Sequence, residues 1–521
     1  MATLNLPPRI PDDLAERYRA DGLWDDRLLA DGIEAGARQR PTAFAVADNE
    51  RSLTYADLAR EIQSAVAALA DEGVRQGAEV LLIAGNTVAG VVAYHALLRV
   101  GATIAVLDRR CGAADVRSAL DVLAQTTLVV VPASERARLS DGLGQMRVVA
   151  LESLAAGPRP GPWAEPDRDD ARVVLFSSGT TDRPKAVVHS LNTLTAGARN
   201  MARITGANEQ AGLFLVSPLT SITGVVQMHL AADRHAALIL EDAFSPEASL
   251  ERINACGATL LGGAPVIAER LLRAAEARAD RRIALRSLAL GGAMLPLPLL
   301  ELATDSFGIE IARVYGSTEV PCVTGSVPGE DRASRLADDG VLLPGTEVRV
   351  GSTESPQEGL VRGPSMFLGY ADGEHDAGAF ENGWYRTGDL VDLAAGRLTV
   401  VGRLKEIVNR SGLKISLNEI EAALARMPGL HEYASFVAPD PETGERLAVA
   451  VRPEPGTTVG LDEVIAHLLG EGIARRNLPE EFVVWQDPLP RTASGKVVRS
   501  RLARESTGRP VEVAARLEAE A

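Results

Sequence analysis

Residues 175–185 read Leu-Phe-Ser-Ser-Gly-Thr-Thr-Asp-Arg-Pro-Lys, and this stretch decides how the rest of the chain is interpreted. The apolar run from Val173 to Phe176 predicts a short buried strand. Five small residues follow at once, and four of them carry hydroxyl groups. Such a loop can present backbone N–H groups and hydroxyls to an anion, and Lys185 adds a positive charge on a long side chain. The stretch therefore predicts a polyphosphate-binding loop, although an isolated Ser/Thr/Gly cluster is more often an ordinary turn.

Length and charge limit what kind of protein this is. The chain has 521 residues, 46% of them hydrophobic and 24% charged. At roughly 150 residues per domain, three or four compact units are expected. The formal net charge of −16 argues against nucleic acid or an anionic membrane surface as the main partner. A local basic pocket for a nucleotide is compatible with this charge.

The N-terminal residues and the cysteines bear on location. Residues 1–11 contain no basic region followed by an apolar core, so no signal peptide is expected. The apolar stretch 88–108 contains a histidine and an arginine, which favours a buried helix and strand over a membrane span. The three cysteines are widely spaced and form no metal-binding pattern: Cys111, Cys256 and Cys322. We therefore expect a reducing compartment and a cytoplasmic protein.

Hydrophobic periodicity predicts alternating strands and helices. A helix is predicted over 12–31, a strand pair over 44–47 and 53–55, and a helix from Tyr55 with apolar residues at helical spacing. Strands are then expected at 80–84, 103–107, 212–216, 237–240, 259–261, 288–290 and 312–314. Strands that alternate with helices predict parallel α/β layers. From Gly340 onward, short strands and frequent glycines predict a small barrel-like subdomain.

Four further segments carry residues suited to nucleotide chemistry. Residues 291–293, Gly-Gly-Ala, follow a predicted strand and are small enough for a close backbone approach to a ligand. Residues 315–319, Tyr-Gly-Ser-Thr-Glu, combine an aromatic ring, a hydroxyl and a carboxylate. Residues 383–390 end in Thr-Gly-Asp-Leu, and 490–496 end in Ser-Gly-Lys. Each segment alone is more often a turn or a solvated surface than a binding site.

Taken in order, these segments resemble the adenylate-forming superfamily, which includes acyl-CoA synthetases, luciferases and peptide-synthetase adenylation domains. The resemblance extends over residues 53–496, nearly the whole chain, and is greatest to stand-alone acyl-CoA synthetases. It implies an α/β fold with a large N-terminal domain, residues 1–402, made of two α/β layers and a small β-barrel. A hinge at 403–405 and a small mobile α+β C-terminal domain, residues 406–521, are implied to follow.

The resemblance also implies functional residues. The implied nucleotide-binding residues are Ser177, Ser178, Gly179, Thr180, Thr181, Gly292, Ala293, Tyr315, Gly316, Ser317, Thr318, Asp389 and Arg403. The implied catalytic residues are Lys496, Lys185, Thr318 and Glu319. In similar proteins, the counterpart of Tyr315 stacks on adenine, that of Thr318 touches the α-phosphate and that of Glu319 binds Mg²⁺. Asp389 is expected to accept the two ribose hydroxyls.

A two-step reaction is implied. A carboxylic acid attacks the α-phosphate of ATP·Mg²⁺ and gives an acyl-adenylate and pyrophosphate, with AMP as the later leaving group. The C-terminal domain then swings about Lys405, withdraws Lys496 and presents Gly412, which is expected to line the pantetheine tunnel. The thiol of CoA, or of a carrier protein, displaces AMP. The expected partners are therefore the acid, ATP and CoA, and a homodimer is left open.

The acid itself is not named by the sequence. Segment 217–224 has no carboxylate to pair with an α-amino group, so an amino acid is not expected. Ser221 stands where many acyl-CoA synthetases carry histidine or an aromatic residue. With Gly291, Gly292 and Val320 nearby by analogy, the acyl pocket is expected to be wide, and we hypothesise a bulky carboxylic acid.

Several alternatives stay open. Residues 17–24 also resemble the N-terminal region of aryl-acid activators that load a carrier protein. A non-catalytic relative would have no need of Lys496, and luciferase-type oxygenation leaves no readable mark in the sequence.

Asp182 departs from the family pattern, which typically has glycine at this position. Aspartate tolerates a left-handed backbone, so the loop shape can survive. A carboxylate ~4 Å from a phosphate charge costs about 1 to 4 kcal/mol, and this slows a reaction roughly tenfold to several hundredfold. If Arg183 neutralises the charge, nothing is lost. Otherwise the enzyme mainly runs the thioester-forming half-reaction on acyl-adenylate made elsewhere.

Overall fold

A computed structural model describes residues 4, 6, 9–123, 125–155, 169–177, 185–292, 295, 297–371, 373–404, 406–411, 413–491 and 497–514. In the part of the chain that it describes, no helix combines the length and the apolar character needed to cross a membrane.

The helices are α1 (Asp12–Ala20), α2 (Leu29–Gln39), α3 (Tyr55–Asp71), α4 (Val88–Val100), α5 (Ala113–Val122), α6 (Ser140–Leu143), α7 (Leu191–Thr205), α8 (Ile222–Arg234), α9 (Pro246–Cys256), α10 (Pro265–Glu276), α11 (Leu297–Glu301), α12 (Arg332–Ala337), α13 (Gly373–Asp376), α14 (Leu417–Leu424), α15 (Leu461–Gly470) and α16 (Arg499–Glu505).

The strands are β1 (Phe44–Ala47), β2 (Ser52–Thr54), β3 (Glu79–Ala84), β4 (Thr103–Asp108), β5 (Thr126–Val131), β6 (Val148–Ala150), β7 (Val173–Ser177), β8 (Lys185–His189), β9 (Gly212–Leu215), β10 (Ala237–Leu240), β11 (Leu260–Gly263), β12 (Ser287–Gly291), β13 (Glu310–Tyr315), β14 (Thr324–Gly325), β15 (Val341–Leu342), β16 (Glu347–Val350), β17 (Glu358–Arg362), β18 (Gly369–Tyr370), β19 (Phe380–Glu381), β20 (Trp384–Ala394), β21 (Arg397–Arg403), β22 (Ile407–Arg410), β23 (Leu413–Ser416), β24 (Leu430–Asp440), β25 (Gly444–Pro453), β26 (Glu481–Val484) and β27 (Val511–Val513).

The chain divides into two compact units. Unit 1 comprises Met1–Gly292, Leu302–Val348 and Val361–Arg386, and unit 2 comprises Ala293–Glu301, Arg349–Leu360 and Thr387–Ala521. The predicted domain boundary at residues 403–405 stays a prediction.

Unit 1 contains two sheets with parallel cores. In one sheet the strands lie in the order β15-β14-β13-β12-β11-β9-β10-β1-β2, and the run from β13 to β1 is parallel. In the other the order is β18-β8-β7-β4-β3-β5-β6, with β7, β4, β3, β5 and β6 parallel. Helices α2, α3, α4, α7 and α8 share one apolar core with both sheets. The predicted parallel α/β layers are confirmed, and the strand ends differ from the predicted ones by at most two residues.

Strand β3 shows why these layers form. Every one of its residues is buried, because the sequence Glu-Val-Leu-Leu-Ile-Ala is apolar after its first position. Val80 and Leu82 point into the core shared with the helices, whereas Leu81 and Ile83 pack on the opposite face with Val116 of α5. A strand that is apolar on both faces must be covered on both faces, which a parallel α/β sheet achieves.

Helix α3 begins where the sequence predicts. The Thr54 hydroxyl accepts the Asp57 N–H at 3.2 Å, and the Asp57 carboxylate accepts the Thr54 N–H at 3.3 Å, which forms a capping box. The apolar residues at helical spacing are all buried: Leu58, Ile62, Val66 and Leu69. The strand pair β1–β2 precedes this helix, as predicted.

The predicted helix over 12–31 is wrong in its second half. Helix α1 ends at Ala20, and Gly22 then adopts a left-handed backbone with φ of 69°. Glycine takes this conformation without strain and ends helices in this way. The chain leaves the helix so that Trp24 packs edge-on to Tyr18 at 5.3 Å and donates its indole N–H to the Pro364 carbonyl at 2.9 Å.

Unit 2 contains a mixed sheet with the order β23-β22-β25-β26-β27, and β24 pairs with β25. Strand β26 runs parallel to β25 and is reached through α15, so the three elements form a βαβ unit. Leu447, Val449 and Val451 of β25 face one apolar cluster, while Ala448 and Ala450 face another. Helix α14 buries Leu417, Ile420, Ala423 and Leu424.

Candidate active site

The predicted phosphate loop connects two strands of unit 1. Strands β7 and β8 pair in antiparallel register, with Ser177 opposite Lys185. The seven residues 178–184 join this pair and lie outside the described residues. The register therefore brings Ser177 and Lys185 together at the two ends of the loop. Lys185 is the first residue of β8.

Lys185 and Glu319 meet at the side chain of Tyr370. The Lys185 ammonium nitrogen lies 3.4 Å from the Tyr370 hydroxyl oxygen and 4.6 Å from the centre of the Tyr370 ring. The Tyr370 hydroxyl donates a hydrogen bond of 2.7 Å to Oε1 of Glu319. Tyr370 is in β18, which pairs with β8 so that Tyr370 lies opposite Val187. Two of the predicted catalytic residues thus lie on either side of one hydroxyl.

Tyr370 is held in an apolar and aromatic environment. Its side chain is 1% exposed, and its ring packs edge-on to Phe367 at 4.9 Å. Burial, together with the neighbouring Glu319 carboxylate, raises the pKa of Tyr370 above its ordinary value. The hydroxyl therefore keeps its proton and serves as a donor to Glu319.

Glu319 has a carboxylate that is suited to bind a cation. The residue is 8% exposed, and its backbone carbonyl accepts the Phe367 N–H at 2.8 Å. Among the described residues, only Oε1 of its carboxylate accepts a hydrogen bond. Within the same described residues, no group of three or more His, Cys, Asp or Glu side chains is arranged to hold a metal. A single carboxylate of this kind, completed by phosphate oxygens and water, is a usual setting for Mg²⁺.

His189 fixes the backbone of Thr318. Its Nε2 lies 2.7 Å from the Thr318 carbonyl oxygen, and its Nδ1 lies 3.0 Å from the Thr193 hydroxyl. Burial lowers the pKa of His189 to about 4, so the imidazole is neutral at physiological pH. Since a carbonyl only accepts, Nε2 carries the proton and Nδ1 accepts the Thr193 hydroxyl.

The predicted nucleotide residues 315–318 form one tight turn at the end of β13. A Cβ atom on Gly316 would lie 2.6 Å from the Cys322 nitrogen, so only glycine fits there. Ser317 and Val320 bond reciprocally, because the Ser317 N–H donates to the Val320 carbonyl at 3.1 Å and the Val320 N–H donates to the Ser317 hydroxyl at 3.2 Å. Tyr315 is half-buried and its carbonyl accepts the Val323 N–H at 2.9 Å.

The predicted acyl-pocket residues each have a structural role of their own. The Ser221 hydroxyl caps α8 by accepting the Gly224 N–H at 3.2 Å. A Cβ atom on Gly291 would overlap the Val314 carbonyl of the neighbouring strand. Gly292 has φ of 76°, a conformation that favours glycine. Val320 is buried in the cluster that contains Tyr370. Their role in a wide pocket stays a prediction.

Asn86 was not singled out from the sequence, yet it anchors the segment that leads to Ser221. Its buried amide nitrogen donates to the carbonyls of Ser217 and Glu241, each at 3.0 Å. Its amide oxygen accepts the Leu219 N–H at 2.7 Å. One side chain thereby joins the ends of β9 and β10.

In unit 2, Asp389 and Arg403 pair with each other. They lie opposite one another in the β20–β21 register, and Nε of Arg403 is 2.7 Å from Oδ1 of Asp389. The Asp389 side chain is buried, and its N–H donates to the Thr387 hydroxyl at 3.1 Å. Gly388, which lies between Thr387 and Asp389 in β20, has φ of 70°, a conformation that favours glycine.

A chain of ion pairs continues from Arg403 within unit 2. Arg403 lies 4.0 Å from Glu406, and Glu406 accepts a 2.9 Å hydrogen bond from Arg499. Arg499 also donates to both carboxylate oxygens of Glu421 at 3.0 Å and to the Ser435 carbonyl at 3.1 Å. Arg499 begins α16 and follows the predicted catalytic lysine segment.

Part of the predicted site lies outside the described residues. This applies to Ser178, Gly179, Thr180, Thr181, Asp182, Ala293, Lys405, Gly412 and Lys496. Their predicted roles stay predictions.

Tyr370 and His189 were missed by sequence reasoning. Tyr370 stands in Phe-Leu-Gly-Tyr-Ala, residues 367–371, which is typical of an ordinary buried strand. His189 ends an apolar strand just before the helix cap Ser190, and a lone histidine there carries no chemical signal. Only the spatial neighbours of these side chains, Lys185, Thr318 and Glu319, associate them with the candidate site.

Comparison with known proteins identifies the family. Residues 33–371 match the family model described as AMP-binding enzyme, and residues 419–496 match the AMP-binding enzyme C-terminal domain. A salicylyl-CoA synthase / salicylate adenylyltransferase from a Streptomyces species is 30% identical, with 94% of this chain and 96% of the relative covered. A medium-chain fatty-acid–CoA ligase from Escherichia coli is 29% identical, covering 94% and 92%.

The fold is similar to that of a solved structure. The o-succinylbenzoate CoA synthetase of Bacillus subtilis, in complex with its acyl-adenylate intermediate, superimposes with a TM-score of 0.80 at 23% identity. The match covers 90% of this chain and 97% of that one. The α/β fold and the ligase class predicted from the sequence are confirmed. The chain belongs to the AMP-binding enzyme family, as an AMP-forming acid–thiol ligase.

Proposed function

We propose that this enzyme activates a bulky or aromatic carboxylic acid as its acyl-adenylate with ATP and transfers the acyl group to the thiol of CoA. The observation that carries this proposal is the meeting of Lys185 and Glu319 at the Tyr370 hydroxyl. These two residues come from motifs far apart in the chain, and the residue type of each suits phosphate or cation binding. The Lys185 ammonium group suits the negative charge of a polyphosphate, and the Glu319 carboxylate suits the positive charge of its metal ion. The uncharged Tyr370 hydroxyl contacts both side chains.

In unit 1, three side chains have separate proposed roles in adenylation: Lys185, Glu319 and His189. Lys185 supplies positive charge to the phosphates that leave as pyrophosphate. Glu319 would hold Mg²⁺, which neutralises phosphate charge when bound. The Thr318 backbone is fixed by neutral His189, so the turn that presents Thr318 to the α-phosphate is rigid before ATP arrives. Pre-arranged groups of this kind stabilise developing charge without reorganisation.

In unit 2, Asp389 is proposed to accept the ribose hydroxyls, and Arg403 orients its carboxylate. Lys496 is proposed to stabilise the charge that builds as the acid attacks the α-phosphate. Rotation about Lys405 would then withdraw Lys496 and bring Gly412 to the pantetheine of CoA. We also propose a cytoplasmic location, which is supported by the free state of the three cysteines.

The choice of acid rests on two observations. The Streptomyces relative acts on salicylate, as its name states, and it is matched over nearly its full length. Serine at position 221 and glycines at 291 and 292 are small, which suits a wide acyl pocket. A relative for medium-chain fatty acids has nearly the same identity, so a linear acid is the competing substrate class.

A panel of carboxylic acids tests the proposal. The purified enzyme is incubated with ATP, Mg²⁺ and CoA together with benzoate, salicylate, a naphthoate, octanoate or butyrate, and the products are identified by mass spectrometry. We expect an aryl-CoA as the best product. Butyrate or octanoate as the best substrate would reject the substrate class. Acyl-adenylate formation without acyl-CoA, followed by loading when a carrier protein is added, would favour the aryl-acid activator alternative.

Asp182 gives the second candidate function, the thioester-forming half-reaction alone. This candidate is supported by a carboxylate in place of the family's usual glycine in the predicted phosphate loop. Exchange of pyrophosphate into ATP is measured for the wild type and for Asp182→Gly. A gain of roughly tenfold or more in the variant, with brisk thioester formation from salicyl-adenylate by the wild type, would support it. Brisk wild-type exchange would exclude it.

A further inference from the structure

We propose that Tyr370 is a positioning residue for the adenylation step, which orients the Glu319 carboxylate and gives the Lys185 ammonium group a defined resting position. This inference rests on the proposed function and adds a residue to it. Tyr370 touches neither substrate nor cation in the proposal. It acts through the two side chains that do.

The hydrogen-bond directions follow from the chemistry of the three groups. An ammonium group only donates, and an ionised carboxylate only accepts. The Tyr370 hydroxyl has one proton and two acceptor lone pairs, so it can accept from Lys185 and donate to Glu319 at the same time. Phenylalanine would leave Oε1 of Glu319 without its donor in a buried site, which is costly for a carboxylate.

The geometry also fixes which carboxylate oxygen is left for a ligand. Oε1 is held by Tyr370 at 2.7 Å, and the Glu319 backbone is held by the Phe367 N–H at 2.8 Å. The first bond restricts rotation of the Glu319 side chain, and the second holds the backbone from which that side chain extends. The second oxygen is then presented in a constant direction. Groups that orient metal-binding side chains in this way affect metal affinity strongly, by about tenfold to hundredfold.

A purely structural role is the competing explanation, because Tyr370 is buried in an aromatic cluster. The neighbouring Phe367 and Phe380 fill comparable space without a hydroxyl, and their rings stack at 5.3 Å. Packing alone therefore does not require the hydroxyl of Tyr370. The position of that hydroxyl between a cation and a carboxylate favours a functional reason.

Tyr55 offers a matched control. It is buried to the same extent as Tyr370, with 1% exposure. Among the residues that the structure describes, its hydroxyl bonds only to backbone carbonyls, those of Ala231 at 3.1 Å and Ala236 at 3.0 Å. Tyr55→Phe deletes the same atom from a comparably buried position, so its effects report the general cost of losing a buried hydroxyl.

The test compares Tyr370→Phe with Tyr55→Phe in the full-length enzyme. Binding of Mn²⁺ in the presence of ATP is followed by electron paramagnetic resonance, which requires no turnover. Pyrophosphate exchange is measured against Mg²⁺ concentration, with salicylate or another acid that supports wild-type exchange. Thioester formation from supplied salicyl-adenylate and CoA isolates the second half-reaction.

We expect Tyr370→Phe to weaken Mn²⁺ binding and to raise the Mg²⁺ concentration for half-maximal exchange by about tenfold to hundredfold. Thioester formation from salicyl-adenylate should change by less than about threefold, because the proposal places Lys185 and Glu319 in adenylation. Tyr55→Phe should lower the melting temperature without changing the dependence on either metal ion.

Two outcomes would overturn the inference. One is an unchanged metal dependence in Tyr370→Phe. The other is an equal loss in both half-reactions that matches a loss of thermal stability, which would mean a structural role. If no acid in the panel supports exchange by the wild type, the proposed function fails, and Mn²⁺ binding with ATP still decides whether Tyr370 positions Glu319.

Discussion

The two units hold their candidate functional residues by different kinds of interaction. In unit 1, Lys185 and Glu319 are anchored by the hydroxyl of Tyr370, and Thr318 is anchored by a neutral histidine. In unit 2, Asp389 is held by the guanidinium of Arg403, and further arginine–glutamate pairs follow along the chain. Uncharged side chains fix the geometry in one unit, and opposite charges fix it in the other.

This difference has a functional meaning. A hydroxyl or a neutral imidazole orients its partner and leaves the partner's charge in place for a ligand. A guanidinium orients a carboxylate and also neutralises it. Unit 1 thus offers full charges where a cation and a polyphosphate are proposed to bind. Unit 2 offers a compensated carboxylate, which suits the uncharged hydroxyls of a ribose.

The largest effect on activity is expected from Glu319→Gln, which removes the negative charge that unit 1 offers to a cation. Glutamine keeps the shape of the side chain, and its carbonyl oxygen can still accept from Tyr370. The negative charge is lost, and the second carboxylate oxygen is replaced by an amide group that cannot bind a cation. We expect pyrophosphate exchange to fall by about a hundredfold to a thousandfold, with a higher requirement for Mg²⁺. The measurement is exchange as a function of Mg²⁺ concentration.

Glu79→Gln is the matched control for this variant. Glu79 is a buried carboxylate of unit 1 at the start of β3, where its Oε2 accepts the Gln125 N–H at 3.0 Å. Its substitution should leave the Mg²⁺ dependence unchanged. If Glu319→Gln behaved like Glu79→Gln, a cation at Glu319 would be excluded.

A residue of the candidate site can be predicted from the sequence when it stands in a local motif. It cannot be predicted in this way when only a contact between distant parts of the chain places it there. Lys185, Thr318, Glu319 and Asp389 stand in short motifs whose residue types match the proposed chemistry, so a linear pattern is enough to propose them. Tyr370 is recruited by the pairing of β18 with β8, a contact between distant parts of the chain. Nothing in its own neighbours in sequence distinguishes it from an aromatic residue of the core.

The fold follows the same logic. The strands of the parallel layers are predictable because burial on both faces produces continuous apolar runs, as in β3. The end of α1 is not, because the sequence continues with apolar residues at helical spacing through Trp24. There the left-handed Gly22 and the indole bond to Pro364 override the helical pattern. Hydrophobic periodicity predicts which residues are buried. It does not predict where a helix ends when that end depends on a contact with a residue distant in sequence.

The next largest effect is expected from a change of pH on the stability of the protein. It tests whether the buried histidines of unit 1 are neutral. Three histidines of this unit are buried: His95, His189 and His229. Burial lowers the pKa of each, to about 4 for His95 and His189 and to about 3 for His229. The unfolded chain binds protons near pH 6.5, and the folded chain does so only at lower pH. Stability is therefore lost as the pH falls from 6.5 toward 4.

We expect each histidine to reduce the free energy of unfolding by on the order of 2 kcal/mol between pH 7 and pH 5. Urea unfolding at several pH values measures this loss. His95→Leu should remove about one third of this pH dependence of the unfolding free energy, because it removes one of the three buried histidines. Leucine suits the position because Nδ1 of His95 has no hydrogen-bond partner among the described residues. A stability that is flat over this range would contradict neutral, buried histidines.

The smallest effect is expected in unit 2 and tests its reliance on charge. Arg499 is 26% exposed and binds Glu406, Glu421 and the Ser435 carbonyl, whereas Arg501 in the same helix is 48% exposed and pairs only with Glu505 among the described residues. We expect Arg499→Ala to lower the local free energy of opening by about 1 to 3 kcal/mol, and Arg501→Ala by about 0.3 to 0.5 kcal/mol. Hydrogen exchange of the amides in α14 and β24 measures the difference.

At 1 M salt the effect of Arg501→Ala should vanish while most of that of Arg499→Ala remains, because partly buried pairs are screened less. Equal exchange rates in the two variants would show that the Arg499 network adds no more than an exposed ion pair does.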